Sequence, residues 1–600
     1  MLRKPERTDG YAPIEDYAAI GDGRALALVA LDGAIDWLCL PSLDAPPVLA
    51  ALLDAERGGS FVLRPTGAFE AQRRYIDESN LLETVYATSK GTVRLIEAIL
   101  MDGSALLPWT ELVRKVECIE GEVELEWSLS ARPRWGTVPT RAEIREDVAL
   151  VEWDADAIAV LTYDCGKARA KDGDLYGRFT VEASRTALLA ALYFNDVPYA
   201  VPPLGELEAR LSRTRTYWQS YTREIPYHGP WLDAVRRSVL AQRLLTFDET
   251  GAIAAAATTS LPERIGGDAN YDYRYSWVRD TSLALESLLA VRLSVECQRS
   301  LAWVMDVAHC DGRLQPMYTL RGEADLPRED IDFHGWRGSR PVRVGNDARD
   351  QFQLGTYADV IDAAYRFCAA GHLLDERTAA RCAEVADDVC ELWQRDDAGI
   401  WEREPHPYTE SKIASWAALD HAIELAGEGR LPDDHVKTWR RSREEIHAFV
   451  QEKCWSEDRQ AYVLYVGSDE LDAGILLGAR FGFFPPGDER FAATIEALRR
   501  ELAVGPYLYR TSGDVGHEGC FLACSFWLVD ALARNNRLDE ARPLMDELLA
   551  GANDAGLYSE QVDPSSGAFL GNFPQALTHL SLILAAVSVM RAERAHPRQQ

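Results

Sequence analysis

The hydrophobic period of this 600-residue chain changes once, and that change constrains the fold more than any other feature. Over about the first 210 residues apolar side chains tend to alternate with polar ones, the period of a strand with one buried face. Residues 24–40, R-A-L-A-L-V-A-L-D-G-A-I-D-W-L-C-L, are two apolar runs joined by Asp32-Gly33, a strong hairpin signal. Residues 82–98 repeat the form about Lys90-Gly91, and residues 113–129 and 148–163 add further alternating segments. Beyond about residue 230 the spacing becomes helical almost to the end. About twelve helices are expected, starting near Trp231, Asp280, Val295, Asp350, Asp375, Ser411, Asp433, Ser468, Glu489, Glu518, Leu538 and Pro574. Several carry Asp or Ser where an N-cap belongs.

Strands followed by uninterrupted helices predict a multidomain β + α chain. An N-terminal antiparallel β-sandwich is expected over 1–210, a linker over 211–230, and an (α/α)6 barrel of six helical hairpins over 231–600. A single core rarely grows past about 250–300 residues, which also argues for division. Long loops between the helices then gather at one end of the ring and form a pocket.

Composition excludes some functions. A formal charge of −31 argues against a nucleic-acid partner, which is held through clustered Lys and Arg. The eleven cysteines are odd in number and scattered, several in apolar helical runs (Cys368, Cys382, Cys390, Cys520, Cys524), as reduced core cysteines are. No Cys/His spacing suggests a metal site, and neither metal nor cofactor is expected. The first ten residues are charged with no apolar signal region, and no apolar run approaches the roughly 18–20 residues of a membrane span. A cytoplasmic protein without a membrane partner is expected; homo-oligomerisation stays open.

Residues 556–563, G-L-Y-S-E-Q-V-D, place Glu560 beside a serine, an aromatic and an amide, just before a long apolar helix. Residues 399–403, G-I-W-E-R, place Glu402 directly after Trp401. Two carboxylates in different environments are what acid/base cleavage of a glycosidic bond requires, one holding a proton and one ionised to activate water. Trp401 is expected to shield Glu402 and raise its pKa, making it the more enclosed of the two. Ser559 or Tyr558 is expected to orient a water on Glu560. A surface Glu beside a buried Trp is the alternative reading of Glu402.

Residues 271–280, Y-D-Y-R-Y-S-W-V-R-D, offer flat aromatic faces for sugar rings, with Arg279 and Asp280 to bracket hydroxyls. The alternative is an Arg–Asp pair capping the helix that starts there. Residues 334–346 carry Arg337, Arg340 and Arg343 and read as a phosphate loop, the wall of a polar pocket, or a solvated loop.

These segments, in this order, resemble glycoside hydrolase family 15, the glucoamylase-type family that includes bacterial trehalases. The opening P-I-E-D-Y-A-A-I-G-D-G-R-A-L-A-L-V-A-L-D-G-A-I-D-W-L-C-L-P is similar to the family's bacterial β-sandwich domain. The segments S-W-V-R-D, G-S-R-P-V-R-V-G-N, G-I-W-E, C-S-F-W-L-V-D-A-L and S-E-Q-V-D-P-S-S-G-A-F-L-G-N-F-P-Q-A follow as in its catalytic domain, so the likeness runs from about residue 12 to about 590. The resemblance implies an inverting hydrolase acting at the non-reducing end of α-glucosides. It implies Glu402 as general acid and Glu560 as general base, with Arg279 and Asp280 holding the innermost glucose. Arg510, in Y-L-Y-R-T, resembles a further arginine of that subsite, and Trp277, Trp336 and Trp401 are expected to wall the sugar. Two departures from the family pattern, Glu410 and His517, are expected near the outer subsites.

A short oligosaccharide or disaccharide is the substrate partner implied. The reading leans to malto- or isomalto-oligosaccharides over trehalose, which ranks nearly equal. A sugar-binding protein without catalysis and a phosphorolytic enzyme are the other classes; both carboxylates being present counts against them.

Overall fold

The computed structural model describes residues 2–102, 107–146, 148–199, 201–223, 225–309 and 313–595. Among these, the first part of the chain is a 15-stranded antiparallel assembly whose spine is the 20-residue strand Thr110–Leu129. The first part of that strand pairs with Gly91–Ile99 and Thr186–Asn195, the last part with Phe61–Pro65 and Asp174–Glu182. The handover falls at Gly121, φ +75°, between exposed Glu120 and Glu122, where the strand leaves one sheet for the other. The two sheets face each other. Leu38, Phe61 and Leu129 of one and Leu112, Ile158 and Tyr193 of the other line the same small apolar void. Both expected hairpins turn at Asp32-Gly33 and Lys90-Gly91.

The described helices are α1 (Leu204–Arg223), α2 (Leu232–Leu245), α3 (Val278–Ala290), α4 (Ser294–Ala308), α5 (Leu354–Ala369), α6 (Glu376–Leu392), α7 (Thr409–Gly427), α8 (Val436–Lys453), α9 (Leu477–Arg480), α10 (Glu489–Leu502), α11 (Leu522–Arg534), α12 (Leu538–Ala550) and α13 (Ala576–Ala595). Helices α3, α5, α7, α9, α11 and α13 form a ring in which each packs on the next and α13 closes onto α3. The even-numbered helices lie behind them, completing six hairpins.

Position in the ring explains composition. Outer helices α6 and α10 bury one stripe and start on Asp375 and Asp488, whose carboxylates accept backbone N–H bonds. Inner helix α13 is buried continuously over residues 576–589 and has no polar face to keep. It is long and apolar enough to cross a bilayer, against the expectation that no run comes near that length, but 78% of its most apolar window is buried in the ring. Its composition is that of a core helix.

Three local expectations need correction. The stretch read as the end of the sheet region and a linker holds α1, whose Leu207, Leu211, Thr214, Trp218 and Thr222 form a narrow buried stripe. Asp350 ends a 3-10 turn, Asp347–Asp350, and α5 begins at Leu354. The helix expected near Ser468 is the 3-10 turn Ala473–Leu476 running into the four-residue α9; buried Asp472 caps the turn through the Gly474 amide. The ten described cysteines are free thiols, and Cys310 lies outside the described residues.

The C-terminal end of the ring is tied by buried charges. Arg480 of α9 bonds Glu286 of α3 at 2.8 Å and Asp530 of α11 at 2.6 Å. Arg366 of α5 reaches Glu286 at 3.5 Å and Asp362 at 3.1 Å. His421 of α7 lies 3.2 Å from Asp362, and burial pushes its pKa down to about 4, so it stays neutral there.

Candidate active site

At the opposite end the inner helices present their N-termini and the long loops between hairpins. They enclose a cavity of about 400 Å³, within the usual size of ligand sites. The positive ends of the helix dipoles lie at this end, a setting that favours carboxylates and developing negative charge. Trp277, Arg279, Asp280, Trp401, Glu402 and Arg510 all line it.

Glu402 sits in the loop before α7 with φ +59°, a left-handed conformation that costs a non-glycine residue energy and survives only when its surroundings impose it. They do. Gln351 donates to the Glu402 carbonyl at 3.1 Å, and Arg279 donates to the Ile400 carbonyl at 3.0 Å. Arg403, the next residue, is paired with Asp514. The Glu402 carboxylate accepts the Trp277 indole N–H at 2.7 Å. Burial raises the Glu402 pKa; the Arg279 charge and the Trp277 bond oppose the rise.

Trp401 does a different job from the one expected. Its indole N–H is given to Asp472 at 2.7 Å, and its ring packs against Phe521 and Trp527, so the contact to Glu402 comes from Trp277 instead.

Glu560 precedes the short strand Gln561–Val562, which lies between Cys520–Phe521 and Phe569–Leu570. The Asn572 amide donates to its carboxylate at 3.2 Å, and Gly571, φ +69°, leaves room for that carboxylate where a Cβ would collide with it. Burial pushes the Glu560 pKa up to about 7 against the opposing Arg510 charge, the Asn572 amide and the Tyr273 hydroxyl. The expected order of enclosure is reversed: Glu560 is 1% exposed, whereas Glu402 is half-buried. Glu560 lies just behind the pocket wall formed by Tyr273 and Arg510. Tyr273 lies within electrostatic reach of both carboxylates. Ser559 and Tyr558 do not orient anything on Glu560, because their hydroxyls donate to the carbonyls of Gln561 and Leu548.

Arg279 and Asp280 form a pair at 2.8 Å with Asp280 2% exposed. The cap of α3 is Trp277 without a side-chain bond, so this pair does not cap the helix. Arg510 is clasped by Glu263 and Glu518, its guanidinium 5.8 Å from the Trp401 ring centre and 5.6 Å from that of Phe521. Trp336 is not in the pocket. It is 3% exposed, and its indole donates to the Ala12 carbonyl of the sheet domain at 3.2 Å. Glu410 and His517 do not line the pocket either: Glu410 is buried near Asp472 and Arg279, and His517 is exposed.

Glu263, Tyr271, Tyr273, Arg343, Asp514 and Glu518 also line the cavity. The tyrosines and Arg343 belong to segments whose aromatic and arginine content was the signal. Glu263, in L-P-E-R-I, carries none, since only the approach of Arg510 from 247 residues away gives it a place.

The sheet domain anchors three of the segments that build the site. Trp37 donates to the Ala257 carbonyl at 2.8 Å and Arg274 to that of Ala45 at 2.8 Å, fixing the tyrosine segment. Asp54 accepts the His334 amide at 3.1 Å, next to the Arg343 hairpin. Arg73 bonds Asp554 at 2.7 Å and Glu15 accepts the Phe569 amide at 3.3 Å, on either side of Glu560.

Residues 229–587 match the model of glycosyl hydrolases family 15, and residues 7–174 match that of the trehalase-like N-terminal domain. A Thermoplasma volcanium protein named trehalase is 33% identical, the match covering 97% of this chain and 94% of that one. A Mycobacterium tuberculosis protein of the same name is also 33% identical, covering 99% and 91%. Among solved structures, a bacterial glucoamylase complexed with acarbose superposes with a TM-score of 0.74 over 98% of this chain and 96% of its own; at 13% identity this likeness speaks for the fold alone. With a family match over more than half its length and a pocket built at the helix N-termini of an (α/α)6 ring, the chain belongs to glycosyl hydrolase family 15 and is a glycoside hydrolase.

Proposed function

We propose that the protein hydrolyses α,α-trehalose by inversion, with Glu402 as general acid and Glu560 as general base. The observation that carries the substrate is the extent of likeness to relatives named trehalase, 33% identity across both domains. It moves the preference from malto- and isomalto-oligosaccharides to trehalose. A reaction in the cytoplasm is part of the proposal and suits a chain whose ten described cysteines are free thiols.

In this reading Arg279 and Asp280 hold the hydroxyls of the innermost glucose. Glu402 gives its proton to the glycosidic oxygen as the anomeric C–O bond breaks. Glu560 takes a proton from a water that attacks the same carbon from the opposite face. An inverting geometry needs carboxyl groups roughly 6.5–9.5 Å apart, wide enough for that water, and this is the spacing expected of the pair. Both protons are accounted for: one leaves with the departing glucose, the other resides on Glu560.

Proton NMR of fresh products from trehalose, maltose and isomaltose tests the proposal. Trehalose should be turned over fastest. Only one of its two anomeric C–O bonds breaks, so inversion releases β-glucose and α-glucose in equal amounts before mutarotation. Release of α-glucose alone would mean retention. Turnover of maltose or isomaltose but not of trehalose would overturn the substrate.

A further inference from the structure

We propose that Tyr271 and Arg343 form the subsite for the second sugar ring, the one that departs. This inference rests on the proposed cleavage of a diglucoside and extends it from the broken bond to the ring beyond it.

Tyr271 and Tyr273 are stacked, ring centres 6.4 Å apart at 11°. The inner member, Tyr273, is half-buried beside Glu560, whereas Tyr271 is 39% exposed while still lining the cavity. An aromatic face left open at the wall of a polar pocket is a platform for the C–H face of a sugar. Its place is fixed, because the Asn572 side chain donates to the Tyr271 carbonyl at 3.0 Å, the same residue whose amide holds Glu560.

Arg343 supplies donors at that platform, its guanidinium carbon 5.6 Å from the Tyr271 ring centre. The other arginines lining the pocket are committed: Arg279 to Asp280, Arg328 to Asp347 and Asp330, Arg403 to Asp514, and Arg510 to Glu263 and Glu518. Arg343 differs. Its Nη1 donates to the Asn270 carbonyl at 3.1 Å, its Nε is buried without a hydrogen-bond partner, and Asp330, at 3.8 Å, is too far for a bond. The Arg343 Nη2 makes no hydrogen bond among the described residues, so this is the guanidinium donor left for a ligand in the cavity that Arg343 lines. The backbone of Arg343 is held by Ser260, at 2.8 Å, and by Thr259, at 2.7 Å, so the side chain starts from a fixed root. Hydroxyls of a ring resting on Tyr271 are acceptors of the right kind for it.

The test compares two substrates that share the innermost glucose and differ in what leaves. Trehalose departs as a second ring; α-glucosyl fluoride departs as fluoride, which needs no sugar subsite. Arg343→Met should lower kcat/KM on trehalose by about 10- to 100-fold, the worth of a lost hydrogen bond to a charged group, and Tyr271→Ala by about 2- to 10-fold, the worth of an aromatic contact, with fluoride release unchanged in both. Unchanged fluoride release also shows that the variants fold. Arg343→Lys, keeping a cation without the fork, should recover part of the loss. Equal losses on both substrates, or no loss on trehalose, would overturn the assignment. If wild type cleaves another diglucoside instead, the trehalose reading fails while the same comparison on that sugar still decides the subsite. A wild type that releases fluoride but cleaves no diglucoside overturns both.

Discussion

As the proposed general base, Glu560 is under opposed demands. A general base must be ionised, yet burial makes that state costly and pushes its pKa up to about 7. In the range between its ordinary value and that one, rising pH supplies the base and removes stability, because the folded state holds a proton that the unfolded chain has already lost. Glu560→Gln should therefore lose about 10²–10⁴-fold in kcat. It should also be more stable than wild type at pH 8, by about 1–3 kcal/mol, with the difference vanishing below the ordinary carboxylate pKa. Urea midpoints at pH 8 and pH 4 measure this; a variant no more stable at pH 8 contradicts the account. Trp277 acts on the other carboxylate. Its N–H bond at 2.7 Å favours the ionised form of Glu402, so Trp277→Phe should raise the Glu402 pKa. The proposed mechanism uses Glu402 protonated, so the basic limb of kcat/KM should move up by about one pH unit. An unmoved limb would separate the indole from the acid.

At the scale of elements, the ring places its chemistry and its ties at opposite ends. Helix α9 has only four residues and no length to pack, so Arg480 joins it to α3 and α11 through Glu286 and Asp530. Removing one partner of a buried ionic cluster leaves the others uncompensated, and Arg480→Met should cost about 3–5 kcal/mol in urea unfolding. The exposed Arg441–Glu445 pair of α8, 3.9 Å apart, is the control: replacing Arg441 should leave the midpoint in place. Similar effects at both positions would mean that the buried cluster is not what ties the ring. Sequence reading located most of these helices because amphipathic period and caps such as Asp375 and Asp488 are local. It expected a helix near Ser468 and did not foresee how short α9 is, because a four-residue element has no period to measure.

For the whole molecule, the sheet domain is part of the active-site architecture. Trp37, Asp54, Arg73 and Glu15 each hold a loop that carries pocket residues or flanks a catalytic candidate. Separate domains would unfold in separate steps. With buried ties of this number between them, a single calorimetric transition is expected, and loss of activity should coincide with it. Two resolved transitions, with activity surviving the first, would show the sheet domain to be an independent appendage.

The amino-acid sequence by itself determined the order of the two architectures, the two hairpins, most helix starts and the segments that supply Glu402, Glu560, Arg279, Asp280 and Arg510. All of these depend on period, turn chemistry or a contiguous motif. Which way a loop side chain faces depends on what a distant part of the chain offers it. Trp336 turns from the sugar because the carbonyl of Ala12, 324 residues away, accepts its indole. Trp401 serves Asp472 while Trp277 serves Glu402, and Glu560 became the more enclosed carboxylate because Tyr273, Arg510 and Asn572 close around it. Glu263 joins the site only through Arg510. Periodicity records that a face is buried; only the folded chain decides which groups meet there, because burial obliges each polar atom to find a partner wherever the chain brings one.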